Sequence, residues 1–499
     1  MATSEYDIKK IRNVALISHH GGGKTTLVES LLFNAKAIDK RGSVEKGTTL
    51  SSFEPEEVQR GMTLSTHLSF CSWRKINFNF LDTPGYIDFL ESTRGALNVV
   101  GGAVMLFSGE MGVKPENVRL WNFAAQAMVP VIGFINKMDK PRADFIRVLG
   151  EMESTLGETV LPVTIPIGAG EDFRGIVDLL PMTAWSAKNG VFEQMELPDE
   201  VRDDAEYYRT QLVEKIVESD DDLLEKYLEE GVEPDEEALQ KGLKEAVLTH
   251  KLLVVFCGSA EANIGVRALL NGMAAYLPSP IDKATIKPLV GYHPKNDQVE
   301  ITPNPDVEDP LSAVVFKTTI DPFAGKLSII RVFSGYIESE QAIYNGSQQR
   351  KEKGGRLFRI QGNEKIPVDR LNAGEMGAIS KLSHTHTGDT LSVEKFPLKF
   401  AMVQFHDPTL TYAIEVDKNS DEKASSGLER LVEEDPTLHF YREAQTNEMI
   451  LAGMGQTHLQ VTLERLKRKF NTEVTLKAPK VPYKETITRS VRVQKKKKK

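Results

Sequence analysis

The sequence predicts a multidomain chain, α/β and then β: a doubly wound sheet with a helical insertion, a β-barrel, and a ferredoxin-like α+β domain. Three observations carry this. Residues 1–140 alternate apolar runs with helical stretches, the pattern of a mostly parallel sheet covered on both faces. Residues 310–395 hold short, evenly spaced strands separated by turns at Asp321-Pro322, Asn345-Gly346, Gly354-Gly355 and Gly388-Asp389, which suits a small barrel. Residues 398–476 then run strand, helix, strand, strand, helix, strand, the order of a split β-α-β plait.

Taken in order, Val14 to Ile17 is an apolar run entering a glycine-rich turn, and a helix is expected to open at Thr26. Ile76, Phe78 and Phe80 alternate with polar residues and lead into Leu81. Ala103 to Phe107 and Val129 to Ile135 are continuous apolar runs, with a helix near Leu120 to Ala127 between them. Residues from about 140 to 250 interrupt the alternation. Leu252 to Cys257 restores a buried strand, and Tyr276-Leu277-Pro278-Ser279-Pro280 ends a helix and opens a linker. Domain boundaries follow at 1–282, 283–397 and 398–476. In the third domain Ala401 to Phe405 and Ala413 to Val416 read as strands, Ala424 to Glu434 and His458 to Phe470 as helices; a further strand is expected over Tyr483 to Val493.

The chain has 499 residues, long enough for about three domains. With 40% hydrophobic and 27% charged residues it is neither collagen-like nor disordered. Two cysteines, Cys71 and Cys257, fit a reducing compartment and small buried roles. No apolar run reaches about 18 residues and no signal core precedes the first strand, so a cytoplasmic, membrane-free protein is expected. The net charge is −9, and the acidity is local: residues 199–247 carry 18 acidic and 6 basic side chains. Val213, Ile216, Val217, Leu224, Tyr227 and Leu228 recur there near helical spacing. That stretch is a solvated helical face or a docking surface for a basic or helical partner. Lysines 495–499 mask part of the acidity; they are either an added end or a nonspecific RNA contact.

Chemistry concentrates at the ends of the apolar runs. Ser18-His19-His20-Gly21-Gly22-Gly23-Lys24-Thr25 lies between a strand and a helix. Glycines let backbone N–H groups curl around phosphate oxygens, Lys24 can reach the outer phosphates, and the Thr25 hydroxyl can ligate Mg²⁺. Thr26 completes the nucleotide-contacting set. Ser18 takes the place of the usual first glycine of such a loop. Asp82-Thr83-Pro84-Gly85 follows the alternating strand; the Asp82 carboxylate can hold Mg²⁺ through water, and the Gly85 N–H can meet a γ-phosphate. Asn136-Lys137-Met138-Asp139 follows a buried strand, where Asp139 would accept from guanine N1–H and N2–H₂, donors adenine lacks. Ser259 and Ala260, after Leu252 to Cys257, can offer an N–H to guanine O6. Four such elements in order, each at a strand's carboxyl end, point to a P-loop GTPase domain holding GTP or GDP with Mg²⁺.

Together these motifs resemble the translational GTPases, and specifically the elongation factor G family, over nearly the whole chain. Arg60-Gly61-Met62-Thr63-Leu64 is similar to the family's switch I, which implies that Thr63 closes over Mg²⁺ and the γ-phosphate. Residues of about 140–250 correspond to the family's G-prime insertion; Gly453-Met454-Gly455-Gln456-Thr457-His458-Leu459 resembles the third domain's G-M-G-E-L-H-L with Gln456 and Thr457 differing. Pro482-Tyr483-Lys484-Glu485-Thr486-Ile487 resembles the opening of a fourth domain, so 477–499 is expected to be its truncated start with a poly-Lys end, and translocation is expected to be poor. The resemblance implies a monomer acting on the ribosome, its rRNA and proteins. Arg465, Lys467, Arg468 and Lys469 form one candidate basic patch, or a solvated helix face.

Two departures from the family matter. Gly21 stands where the family has Asp, removing a carboxylate near the nucleotide. Tyr86 stands after Asp-Thr-Pro-Gly where the family has the His that orients attacking water. A tyrosine hydroxyl can bond water but offers no imidazolium charge, so Tyr86, with Thr63, Lys24 and Gly85, forms a catalytic set expected to hydrolyse GTP slowly. The same pair of departures resembles the divergent elongation-factor-G-like branch. The alternative is a nucleotide-dependent ribosome-binding regulator with negligible turnover. His19 and His20 read as loop structure, His384 and His386 as part of a barrel strand or turn, and His458 as a packing residue.

Overall fold

The computed structural model describes residues 6–495 except 158, 189–190, 231–232, 322–324, 402, 417–420, 482, 484 and 486–487. It forms two compact units, Met1–His406 and Asp407–Lys499.

The first unit is built on β1 (Ile11–Ile17), β2 (His67–Trp73), β3 (Ile76–Asp82), β4 (Gly102–Ser108) and β5 (Val131–Asn136). Helices α1 (Lys24–Asn34), α2 (Pro55–Arg60), α3 (Leu90–Leu97), α4 (Pro115–Gln126) and α5 (Phe145–Leu156) connect them. β6 (Val160–Pro162) follows, then β7 (Thr164–Ile167), β8 (Gly175–Asp178), β9 (Thr183–Lys188) and β10 (Val191–Met195), which form a separate antiparallel sheet. Next come α6 (Arg202–Glu218), α7 (Asp221–Glu230), α8 (Glu236–Leu248), β11 (Leu253–Cys257), α9 (Val266–Tyr276) and α10 (Pro280–Ile286). The main sheet has the order β2-β3-β1-β4-β5-β11-β6, parallel except at the β2–β3 hairpin. Every residue of β1, β4, β5 and β11 is buried, which is why these strands read as unbroken apolar runs.

Register sets the site. Leu16 pairs with Asp82 and Ser108 with Asn136, so the segments after β1, β3, β5 and β11 emerge along one edge of the sheet. The first helix begins at Lys24, two residues earlier than the sequence predicts, because Gly23 enters it with φ of 93° and frees the next residue to start the turn. The acidic stretch is three helices rather than one face. Leu212, Val213, Ile216 and Val217 of α6 are buried, but Leu228 is exposed.

The barrel domain is an eight-stranded antiparallel sheet led by the long hairpin Ser312–Asp321 with Gly325–Ser334, plus the ribbon Tyr336–Glu338 with Arg370–Asn372. Ala313, Val315, Ile330, Val332, Ile343 and Leu391 fill its interior. Of the turns expected there, Pro322 lies outside the described residues. Ala401 to Phe405 is not a strand among its described residues. The Gln404 carbonyl instead accepts from Arg94 Nη1 of α3 at 2.8 Å, and just beyond the stretch the His406 N–H donates to Glu91 Oε2 at 3.2 Å.

The second unit has the strands His439–Arg442, Met449–Gly453, Leu410–Glu415 and Thr475–Lys477, side by side in that order and antiparallel. Helices Asp421–Glu434 and Gln456–Phe470 cover one face, completing the ferredoxin-like plait. A Cβ on Gly427 would sit 2.6 Å from Leu466 Cδ1, so glycine permits that helix pair its close approach. The described residues of 483–495 form no strand, and Tyr483, Val491 and Val493 are exposed: alternation makes a strand only where a ladder partner exists. Pro482, Lys484, Thr486, Ile487 and lysines 496–499 lie outside the described residues. Among the described residues no helix is long and apolar enough to cross a membrane.

Candidate functional site

The loop between β1 and α1 is shaped by its glycines. A Cβ on Gly22 would lie 2.0 Å from Ser18 Oγ, and one on Gly23 would lie 2.4 Å from Asn136 Nδ2. Gly21 has φ of 79° but faces open space. Lys24 Nζ donates to the carbonyls of Ser18 and His19 at 3.0 and 3.2 Å, bridging the mouth of the loop. Burial pushes Lys24 down to about 8, with Asp82 opposing the shift, so the ammonium stays protonated at neutral pH. Gly85 crosses directly beneath: a Cβ there would be 2.4 Å from Lys24 Nζ. Its backbone therefore lies against the same cradle.

Three oxygens meet beside this loop. Thr25 Oγ1 donates to Asp82 Oδ2 at 2.9 Å and lies 2.9 Å from Thr63 Oγ1. Two hydroxyls and a carboxylate are the kind of oxygen donors that Mg²⁺ takes, so Thr25, Thr63 and Asp82 would suit that ion. Asp82 Oδ1 is buried with no protein partner, and burial raises its carboxyl pKa against the opposing pull of Ser51, Lys24 and Thr25. The unpartnered Oδ1 leaves this fully buried carboxylate able to take a further positive partner besides the nearby Lys24.

On the other side of the loop, Asn136 Nδ2 donates to the Gly22 carbonyl at 3.0 Å, and Asn136 Oδ1 accepts from the Ala260 N–H at 2.9 Å. Asn136 thus ties three segments together. Ser259 is fully buried, and its hydroxyl accepts from the Ala262 N–H at 3.0 Å. Lys137 has φ of 67°, and its Cε lies 3.9 Å from the Cβ position of Gly23, over the loop. Asp139 Oδ1 is buried and unpartnered, an acceptor fitted to a donor edge; its Oδ2 pairs with Lys140 at 3.5 Å. Thr26 is half-buried in the first turn of α1.

Family models match in the same order. Residues 9–279 match the Elongation factor Tu GTP binding domain, 310–394 Elongation factor G domain 2, and 405–478 Elongation Factor G, domain III. Elongation factor G of Salinibacter ruber is 36% identical over 488 residues, 97% of this chain and 69% of that protein. The chain belongs to the elongation factor G family. Elongation factor G of Thermotoga maritima is 37% identical over 492 residues, 98% of this chain and 70% of the relative. A crystal structure of a Thermus thermophilus protein superposes with a TM-score of 0.84 at 32% identity, over 95% of this chain and 68% of that one.

The segment that carries Thr63 is held by buried carboxylates and a seryl hydroxyl. Glu57, fully buried in α2, accepts from the Leu64 N–H at 2.8 Å, the Ser65 N–H at 3.2 Å and lies 2.8 Å from His67 Nε2. Glu29 of α1 accepts from the N–H groups of Gly42 and Leu50 at 2.7 and 2.6 Å. Ser51 Oγ donates to Asp82 Oδ2 at 2.7 Å. Ser51, Glu29, Glu57 and His67 carry no motif, and only the folded segment brings them to the site.

Tyr86 is half-buried, with its ring edge-on to His20 at 6.3 Å and tilted against Phe89 at 6.4 Å. Burial, with Lys24 and Lys137 nearby, lowers the His20 pKa. His19 Nδ1 lies 3.0 Å from Asn117 Oδ1, and burial lowers it to about 4. Both imidazoles are neutral at pH 7. His384 and His386 instead donate backbone N–H groups to Glu352 and Asp389 in a barrel loop. His458 is buried in the second unit against Asp435 at 3.0 Å.

Proposed function

We propose that this chain is a GTP-dependent, ribosome-associated switch that hydrolyses GTP slowly. The observation that carries it is the meeting of Thr25, Thr63 and Asp82 over the glycine loop. Gly21, Gly22, Gly23, Lys24, Thr25 and Thr26 hold the phosphates. Asn136, Lys137, Asp139, Ser259 and Ala260 shape the guanine end, with the free Asp139 Oδ1 as acceptor. Thr25, Thr63 and Asp82 would hold Mg²⁺, which would supply positive charge to the phosphate oxygens when bound. Lys24 and the Gly85 N–H face the terminal phosphate, and Thr63 senses its presence by closing switch I.

Slow turnover rests on Tyr86. Its hydroxyl can orient a water, but burial lowers the pKa of its neighbour His20 and disfavours an imidazolium there. Positioned acid–base groups are worth roughly 10²- to 10⁴-fold in rate. The measurement is single-turnover GTP hydrolysis with and without ribosomes, for the natural chain and Tyr86→His. Modest stimulation in the first and a rise of about 10²-fold or more in the second are expected; equal rates in the two chains refute the assignment of Tyr86. The same neutrality favours a second reading, a ribosome-binding regulator with negligible turnover. Strong ribosomal stimulation of the natural chain excludes it. Binding rests on rRNA and ribosomal proteins in both readings, and the acidic helices of 199–247 offer a docking face for a basic partner.

A further inference from the structure

Away from the nucleotide edge, a cavity of about 110 Å³ lies where α10 and the segment after α3 face the barrel strand Gly325–Ser334. Its walls are mainly apolar, among them Leu97, Val99, Leu289 and Phe333, yet three cations line it: Lys283, Lys287 and Arg331. Arg331 is buried, and its Nε has no partner, while one Nη donates to the Gly374 carbonyl. Lys283 Nζ donates to the Met128 carbonyl and Lys287 Nζ to the Ala127 carbonyl at 3.4 Å. None of the three makes a salt bridge with a described carboxylate; the neighbouring Asp282 is taken by Lys244 and Ser279.

Cations in a mainly apolar wall are costly; the charges of Tyr6 and Glu375 offset part of that cost for the buried Arg331, while Lys283 is half-buried and Lys287 exposed. Burial, with Lys287 beside it, holds Lys283 down to about 7, and burial holds Arg331 down to about 9. A bound anion would relieve that cost, and a guanidinium is suited to a carboxylate. The volume is below the roughly 150 Å³ that admits benzene, which limits the apolar part to a few carbons.

We propose that this cavity is a binding site for a small aliphatic carboxylate, its anionic end on Lys283 and Arg331 and its alkyl end against Leu97, Leu289 and Phe333. The occupant would touch GTPase and barrel elements together. One wall, Leu97–Gly101, continues the helix that follows Tyr86, so occupancy would brace the arrangement of these elements.

The test is calorimetric titration of butyrate into the full chain with Mg-GDP saturating and ionic strength constant, beside a parallel titration of inorganic phosphate. Saturable one-site binding of butyrate, stronger than that of phosphate, is expected. Lys283→Met should weaken it by at least ~10-fold, the loss of one charge-assisted hydrogen bond. Ala284→Phe, which fills the cavity and leaves the cations in place, should abolish it and covers the case in which Lys283→Met fails to fold. Absence of saturable heat, phosphate binding more tightly than butyrate, or butyrate binding undiminished in Ala284→Phe would each overturn the proposal.

Discussion

Replacing Glu57 with Ala should open the Thr63 segment without touching any residue of the proposed phosphate site. The Glu57 carboxylate is fully buried and receives the N–H groups of Leu64 and Ser65 and the His67 ring. Leu64 is 2% exposed, so its N–H loses its acceptor with no water to replace it, a cost of about 1–3 kcal/mol. The His67 ring is similarly enclosed, whereas Ser65 is half-buried and water can repair its bond. The closed arrangement of Thr63 should therefore weaken by roughly 2–4 kcal/mol, about 30- to 700-fold in the open/closed equilibrium. GDP affinity should change little, because Lys24, the glycine loop and the Asn136 cluster are untouched. Affinity for a non-hydrolysable GTP analogue should fall by at least ~10-fold, and amide exchange at Leu64 and Ser65 should accelerate. Unchanged exchange at those two amides, together with unchanged analogue affinity, would show that Glu57 is not the clasp.

Three other outcomes follow from the same geometry. Thr25→Val removes the hydroxyl linking Asp82 and Thr63, so Mg²⁺-dependent tightening of GTP binding, measured by fluorescent-nucleotide titration with and without EDTA, should shrink by at least ~10-fold. Gly22→Ala puts a Cβ 2.0 Å from Ser18 Oγ; nucleotide affinity by filter binding should drop at least ~10-fold while the melting curve shows a folded chain. In the second unit, burial would raise Asp435, but the charge and hydrogen bond of His458 with the bonds from Thr437 outweigh it and hold the carboxyl well below its usual value. A depressed carboxyl stabilises above its unfolded pKa, near about 3.9, and that contribution is lost as pH falls below it. Asp435→Asn should lower the denaturation midpoint of that unit at pH 7 and flatten its decline toward pH 3, followed by far-ultraviolet circular dichroism.

The gathering of the glycine loop and its companion motifs at one sheet edge was legible because its parts are local strings. Asp82 and Asn136 end strands and Gly22, Gly23 and Ser259 follow them, and the register of β1 with β3 and of β4 with β5 then carries them to one edge. What holds the Thr63 segment was not legible. Residues 42–66 contain only the short α2, and their bonds run to Glu29, Asp82 and Glu57 through ordinary seryl, glutamyl and backbone groups without periodicity. Alternation misled twice, for related reasons. Ala401 to Phe405 has strand spacing, but its Gln404 carbonyl goes to Arg94, and the N–H of the next-but-one residue, His406, goes to Glu91. Tyr483 to Val493 has strand spacing and exposed apolar side chains. Side-chain period records which faces differ, not whether a neighbouring strand is there to pair.

The closed segment also gives the nucleotide edge a path to the barrel. Thr63 is followed within four residues by β2, and the barrel grips β2 and its approach. The Gly362 N–H donates to the Leu68 carbonyl at 2.9 Å, the Phe70 N–H to Gln361 Oε1 at 2.8 Å, and Lys317 Nζ to the Thr66 carbonyl at 2.5 Å. The Arg359 guanidinium lies 3.7 Å from the Phe70 ring centroid. Before Thr63, Gly362 packs so closely on Leu50 that a Cβ there would be 2.2 Å from the Leu50 carbonyl oxygen. The barrel therefore touches the segment on both sides of the one hydroxyl that meets Thr25. Contiguity alone is a route, and coupling needs the segment to have two arrangements that both ends prefer differently. Given that, linkage fixes the sign and size: whatever free energy the barrel contacts add to the closed arrangement must reappear as preference for the nucleotide that closes it.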